Sequence, residues 1–374
     1  MIKLIKVAVC VVALASLGGA SNDSITFNER IDIVKKYKNK LKECIVIIEG
    51  SDYKEVIAGD GITEQSQFCI GSISKQFTAI LVLKALEKKN AGDIKKINED
   101  LHRPLIELLK DTKLLHNLQN VSEKFKNRKT KDWLDHITLH DLLCHTSGIG
   151  NYSGKYFVKN FGLEAAFESK PYDHIELIQS AEFKKPQEKK HDYSNTNYLL
   201  LAKIVEQLTG EDFIDYLNDQ IIKRLDLKNT IHPRSGNFEE AKEEYKISNL
   251  IINSYDILHE DLHNPMGAGG IISNGEDLIK WMKALHHDRE FLNKDLYNLM
   301  ISPHIEIDKK GDYYGYGIRL SNSKTLGKRI GHTGSIGLYE NRAVYFPEKE
   351  IYLAILTAIP DTECRISYVL GEIE

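Results

Sequence analysis

A serine and a lysine three residues apart, Ser72 and Lys75, open a run whose apolar residues Phe77, Ile80, Leu81, Leu83 and Leu86 recur at helical spacing. The run reads as an amphipathic helix, and residues i and i+3 share one of its faces, so both side chains can enter one cleft. A serine hydroxyl is a poor nucleophile until a neighbour takes its proton. A lysine can take it when its own pKa is depressed. The start of a helix also presents unpaired backbone N–H groups, which favour a developing oxyanion. Ser74 adjoins Lys75 and points off that face, which leaves Ser72 as the candidate nucleophile. Taken alone, this spacing is common on helix surfaces. Two further stretches add weight: Tyr193-x-Asn195 in a loop before a helix, and His332-Thr333-Gly334-Ser335 after a strand candidate.

The elements that would position these residues come in a definite order. Phe27 to Leu41 has helical spacing, with Asn28 or Asp32 near its start. Cys44 to Gly50 and Tyr53 to Ala58 read as two strands of a hairpin, and Phe68-Cys69-Ile70 leads into Ser72. Beyond the Ser72 helix, Ile97 to Asp100 suggests a turn and Pro104 to Leu109 a short helix. Lys110 to Lys131 is charged and weakly periodic, which suggests a mobile surface insertion. Thr138 looks like an N-cap and Gly148 a helix stop. Leu199 to Leu208 forms a strongly apolar helix closed by Gly210, and Phe213 to Leu225 continues with another. After the turn Gly267-Ala268-Gly269-Gly270, one more helix runs through Leu278, Trp281, Met282 and Leu285. Strand candidates follow at Tyr314 to Leu320, Lys328 to Gly331, Arg342 to Phe346 and Ile351 to Thr357. Strands, then helices, then strands predict an α/β (α+β) fold: an antiparallel sheet flanked by helices and built from both chain ends (21–85 and 266–374), with a mostly helical region (86–265) inserted between them.

Composition agrees with a packed globular chain. Of 374 residues, 42% are hydrophobic and 28% charged, and the net charge of −4 gives no electrostatic case for nucleic acid. Lys3 and Lys6 precede an apolar run from Val7 to Leu17 and the small residues Gly18-Gly19-Ala20-Ser21. That is the pattern of a secretory signal peptide, cleaved after Ala20 or alternatively Ala15, leaving 21–374 as a single catalytic domain. The run is too short to span a bilayer comfortably, so no stable membrane insertion is expected. Cys44, Cys69, Cys144 and Cys364 sit mostly among apolar residues and are expected to be buried free thiols. No metal or cofactor is expected.

Taken together, Ser72-x-x-Lys75, Tyr193-x-Asn195 and His332-Thr333-Gly334 resemble the serine β-lactamase and penicillin-binding protein superfamily. Tyrosine in the second element is similar to the class C β-lactamases and their D-alanyl-D-alanine carboxypeptidase, esterase and aminopeptidase relatives. Histidine opening the third looks like the carboxypeptidase and esterase side. Leu142 to Gly148 is similar to the family's LLxHTSG, and Tyr193 to Tyr198 with Thr209-Gly210-Glu211 to its YSNxxY…TGE. Gly269-Gly270, Asp277-Leu278 and Gly315-Tyr316-Gly317 also fit, so the resemblance covers roughly Ile45 to Thr357. It implies that Ser72 is acylated, that Lys75 helps deprotonate it, and that Tyr193 exchanges protons with leaving group and water. The last role calls for a phenol pKa pulled down by neighbouring cations. It implies that Asn195 binds substrate and Lys75, that His332, Thr333 and Gly334 line the substrate edge, and that the N–H groups of Ser72 and Ser335 form an oxyanion hole.

Several residues depart from the pattern or imitate another. Histidine in place of lysine at 332 makes the attraction for a substrate carboxylate weaker or pH-dependent. Arg319 could supply the charge, or could be a surface arginine. The loop before Tyr193 carries Lys189-Lys190 where the family often has glycine. His259-Glu260-Asp261-Leu262-His263 matches a zinc-protease pattern, but Asn264-Pro265 breaks the chain at once, so it reads as a polar loop. His145 follows Cys144 directly and reads as a backbone-bonding residue, since helical neighbours do not face each other. Lys324-Thr325-Leu326-Gly327 reads as a turn. The expected protein is an exported (periplasmic or secreted) serine hydrolase acting on a small-molecule or peptide substrate. The reaction would be that of a D-amino peptidase, carboxypeptidase or esterase. The alternatives are a class C-type β-lactamase and a catalytically silent recognition protein.

Overall fold

The computed structural model describes residues 25–120, 133–153, 155–161, 172–184, 189–233, 265–308, 311–359 and 362–371. The leader-like segment, His259 to His263 and the second half of the charged 110–131 stretch lie outside the described residues. Among the described residues no helix is long and apolar enough to cross a membrane.

Helix α1 (Phe27–Lys36) starts at a capping box between Thr26 and Glu29, so its cap lies upstream of both Asn28 and Asp32. Strands β1 (Cys44–Glu49) and β2 (Lys54–Ala58) form the expected hairpin. Alternate side chains of β1 enter two different cores. Val46 and Ile48 meet α1, while Ile45 and Ile47 face the main core. The short β3 (Gln67–Cys69) leads through a 3₁₀ turn, Gly71–Ile73, into α2 (Ser74–Lys89). The spacing suggested an amphipathic α2. Instead every residue from Ser74 to Leu83 is buried, because α2 packs against other helices and the turn between the strands at Asp312–Tyr314 and Arg319–Ser323 rather than against water.

The helical region follows. It comprises α3 (Ile94–His102), α4 (Leu105–Leu108), α5 (Lys113–Gln119), α6 (Leu139–Leu143), α7 (Lys155–Phe161), α8 (His174–Ser180), α9 (Asn195–Thr209) and α10 (Phe213–Leu217). Ile97 to Asp100 is helix rather than turn, because Asp93 caps the Lys95 and Lys96 amides. Part of the supposed insertion is α5, capped by Thr112 and anchored by buried Leu114, Leu115 and Leu118. Helix α6 begins at Thr138 as expected but stops at Leu143 rather than Gly148. The chain turns sharply there, and His145 adopts a left-handed φ of 61°.

Strand β4 (Ile272–Asn274) pairs with β3 in a small second sheet, and α11 (Gly275–His286) crosses the main sheet. Helix α12 (Lys294–Met300) and strand β5 (Ile305–Asp308) were not anticipated. Tyr314 to Leu320 is two strands rather than one: β6 (Asp312–Tyr314) and β7 (Arg319–Ser323). Gly317 breaks them with φ +68°, and a side chain there would start 2.5 Å from the Lys75 carbonyl. Strands β8 (Gly327–Ile336), β9 (Tyr339–Phe346) and β10 (Ile351–Thr357) follow, then α13 (Thr362–Val369). All neighbours in the main sheet run antiparallel, in the order β2-β1-β10-β9-β8-β7-β6-β5. Pairing of β1 with β10 closes the sheet from both chain ends. Cys44, Cys69 and Cys144 are buried, and none of the three is in a disulfide.

Candidate active site

The site forms where the 3₁₀ turn meets the edge of β8. Ser72 sits on that turn, just before α2 begins at Ser74, and Lys75 lies in the first turn of α2. Pairing of β7 with β8 stops at Arg319–Gly331, so His332 to Ile336 have β9 on one side and an open edge on the other. The turn fills that edge. A side chain at Gly71, whose φ is +53°, would begin 2.8 Å from the Ser335 nitrogen and 2.9 Å from its oxygen. One at Gly334 would collide with the Ile70 carbonyl. Gly334→Ala should therefore push β8 off the turn, destabilise the fold by roughly 1–3 kcal/mol and remove most turnover. A thermal melt run beside an activity assay checks both.

Four of the predicted side chains meet directly. Ser72 Oγ lies 2.9 Å from Lys75 Nζ and accepts a hydrogen bond from the Tyr193 hydroxyl at 2.8 Å. Lys75 Nζ also donates to Asn195 Oδ1 at 2.8 Å and to the Ala268 carbonyl at 2.6 Å. Asn195 in turn donates to Ser153 Oγ at 3.1 Å. Helix α9 begins at Asn195, so the loop and its helix place Tyr193 and Asn195 on either side of the amine. Lys75 is fully buried. Burial, then the nearby Arg319 charge, hold its pKa well below the ordinary lysine value. A neutral amine has two N–H bonds. Directed at Asn195 and Ala268, they leave its lone pair for the Ser72 proton.

Tyr193 behaves differently from the expectation. Burial pushes its phenol up to about 12, although the Ser72 hydrogen bond and Arg319 pull the other way. In the resting site it is thus a protonated donor, not a phenolate.

The third element divides. Thr333 and Ser335 are partly or fully exposed, whereas His332 is buried. An Nδ1–H given to the Thr333 carbonyl leaves His332 Nε2 to accept from the Tyr314 hydroxyl at 2.8 Å. Burial, Arg319 and Lys75 hold its pKa well below the usual histidine range. It is therefore neutral at neutral pH rather than poised to titrate there. Arg319 stands beside the site: its guanidinium carbon lies 6.0 Å from the Tyr193 ring centre, half-buried, with Nε buried and unpartnered. The surface reading of Arg319 does not hold.

Sequence reasoning missed the Ala268 carbonyl, Ser153 and Tyr314. The glycines around Ala268 marked its turn, but a backbone acceptor leaves no residue-type signal. His145 takes the backbone role expected of it. Its Nδ1 accepts from the Ser194 amide at 3.2 Å, and its carbonyl from the Asp192 amide at 2.8 Å. A cavity of about 180 Å³ opens beside Tyr193, with Gly150, Asn151, Glu182 and Lys184 in its wall.

Comparison with known proteins points the same way. A family profile described as Beta-lactamase matches residues 44–366. The teichoic acid D-alanine hydrolase of Staphylococcus aureus (strain NCTC 8325 / PS 47) is 26% identical over 353 residues, covering 94% of this chain and 75% of that protein. Penicillin-binding protein 4* of Bacillus subtilis (strain 168) is 23% identical, covering 87% and 70%. Among solved structures, a D-stereospecific amidohydrolase from Streptomyces sp. superposes with a TM-score of 0.69 at 20% identity, covering 91% of this chain and 99% of the other.

Proposed function

Because the chain belongs to the serine β-lactamase and penicillin-binding protein superfamily, we propose that it hydrolyses D-amino-acyl amides or esters through an acyl-enzyme on Ser72. The observation that carries this reading is the simultaneous contact of Ser72 Oγ with Lys75 and Tyr193, at 2.9 and 2.8 Å. Neutral Lys75 takes the Ser72 proton as Oγ bonds to the substrate carbonyl carbon. The N–H groups of Ser72 and Ser335 stabilise the oxyanion. Tyr193 gives its proton to the departing nitrogen or oxygen and is replenished by Lys75 with the proton that came from Ser72. Water then attacks the ester, with the same groups working in reverse.

The D-amino-acyl class is supported by what the relatives' names share: a D-alanine hydrolase and a D-stereospecific amidohydrolase. Arg319 suits a substrate that also carries a carboxylate, since its guanidinium is half-buried and Nε lacks a partner. Export fits the leader-like pattern from Lys3 to Ala20, and an N-terminus at Ser21 in an envelope or medium fraction is its check.

The test compares D- and L-alanine p-nitroanilide, a D-alanyl ester, a D-alanyl-D-alanine peptide and a penicillin. Cleavage of D-substrates at least about tenfold faster than L is expected, a difference of about 1.4 kcal/mol in the barrier. Arg319→Ala should raise KM for the peptide well beyond any change in KM for the p-nitroanilide, which has no carboxylate; a loss of kcat common to both would reflect the Arg319 charge beside Lys75. Rapid turnover of penicillin with none of the D-alanyl compounds would replace this reading with a β-lactamase. Absence of any turnover or adduct would leave the silent recognition protein.

A further inference from the structure

We infer that the ion pair between Lys189 and Asp141 is a positioning clasp that holds the Tyr193 loop against the His145 turn. The inference rests on the reading above, in which Tyr193 moves a proton at Ser72. It concerns a pair to which neither the family pattern nor the sequence assigned a task.

The loop at 189–194 has no helix or strand of its own. Tyr193 is nevertheless bracketed: the amides of Asp192 and Ser194 donate to the carbonyl and the Nδ1 of His145, and Ser194 Oγ donates to the Gly150 carbonyl at 3.1 Å. Both anchors thus depend on His145, a residue in a left-handed conformation that only its surroundings can impose. Asp141 supplies those surroundings. Its backbone carbonyl accepts the Thr146 amide at 2.9 Å and its Oδ1 accepts the Thr146 hydroxyl at 2.7 Å. Its Oδ2 completes the capping box with Thr138.

The same Oδ1 receives Lys189 Nζ at 2.6 Å. One carboxylate therefore fixes the turn that receives the loop and the upstream end of the loop itself. Asp141 is buried. Burial alone would raise its pKa, but hydrogen bonds from Lys189, Thr146 and Thr138 outweigh that and hold it below the usual range.

An ion pair with one exposed end adds little to global stability, and the Lys189 side chain is 61% exposed. Its effect falls on placement instead. Tyr193 must keep its hydroxyl within hydrogen-bond reach of Ser72 Oγ, and a displacement of about 1 Å in such a group costs roughly 100-fold in rate. Lys189, in the stretch where the family pattern often carries glycine, then has a physical role: its charge ties the loop down.

The experiment measures kcat and KM for the best D-alanyl substrate in Lys189→Met, Lys189→Arg, Lys190→Met and Tyr193→Phe. Lys189→Met should lower kcat by about 10- to 100-fold toward the Tyr193→Phe value, with KM within about threefold. Lys189→Arg, which can still donate to the carboxylate, should recover to within about threefold. Lys190→Met should match wild type. A full-rate Lys189→Met, or an equal loss in Lys190→Met, would overturn the clasp. Amide hydrogen exchange gives a second readout that needs no turnover. The Asp192 and Ser194 amides should exchange about tenfold faster in Lys189→Met than in wild type, and unchanged exchange would also overturn it. If wild type cleaves none of the substrates, the functional reading fails, while exchange still decides the clasp.

Discussion

Ser72→Ala should form no adduct with penicillin by intact mass and should cleave D-alanyl substrates at least about 10⁴-fold more slowly than wild type, with little change in melting temperature. The stability half of this expectation follows from where the hydroxyl sits. Ser72 is half-exposed on its turn, and among the described residues its Oγ hydrogen-bonds only to Lys75 and Tyr193. The turn is shaped instead by the left-handed Gly71 and by the fit of Gly334 against Ile70. Removing one oxygen leaves both intact and opens no core cavity. Two other serines could in principle be acylated, and their surroundings separate them. Ser74 is 1% exposed and its Oγ accepts from the Ile271 amide at 3.3 Å, which ties α2 to the strand before α11. Ser335 is exposed on β8, and among the described residues its hydroxyl has no hydrogen bond to a base. An adduct persisting in Ser72→Ala and mapping to Ser335 would move the nucleophile to the strand and sink the mechanism.

The chemistry of this chain is more legible in its sequence than the geometry that tunes it. Ser72, Lys75, Tyr193 and Asn195 could be picked out because each is a side chain with a fixed local spacing. The strands of both chain ends were legible because β-branched runs such as Cys44 to Glu49 are bounded by turn residues. Misreadings arose where a long-range partner overrides a local signal. Ser72 sits on a 3₁₀ turn because Ile70 and Gly71 must clear β8, a constraint that lies more than 260 residues away in sequence. Helix α5 was hidden because three buried leucines in a charged stretch give little periodicity until α9 and α8 pack on them. His332 looked titratable because its residue type is. Its burial and its bond to Tyr314 depend on strand pairing that no spacing announces. Arg319 was ambiguous for the same reason: β7 places it, and β7 begins one residue after a glycine-bearing turn that only α2 explains.

The pH dependence of turnover should then be one-sided. The mechanism needs Lys75 without its proton and Tyr193 with one. Burial lowers the Lys75 pKa well below the ordinary lysine value, and burial raises Tyr193 to about 12. As pH falls through the depressed Lys75 pKa, the amine gains a proton, its lone pair is lost and kcat/KM declines. Above it, activity reaches a plateau that Tyr193 does not end until about pH 12. His145 and His332 add no limb near neutrality, because burial holds both well below the usual histidine range. Lys75→Arg tests the assignment, since a guanidinium keeps its charge at any working pH. It should cost about 10²- to 10⁴-fold in kcat/KM at every pH, with no recovery on the alkaline side. A parallel profile for Lys75→Arg, merely scaled down, would mean that another group titrates in the acid limb. The same burial has a sign in stability. An unfolded lysine keeps its proton to about pH 10.4, whereas folded Lys75 releases it earlier. Across that window the unfolded chain binds the extra proton, so the Lys75 contribution to stability becomes more favourable as pH rises. Urea melts of wild type against Lys75→Met at pH 7 and pH 9 should show the difference moving toward wild type at the higher pH. A base kept neutral by burial is thus bound to weaken the fold most where its proton is hardest to remove.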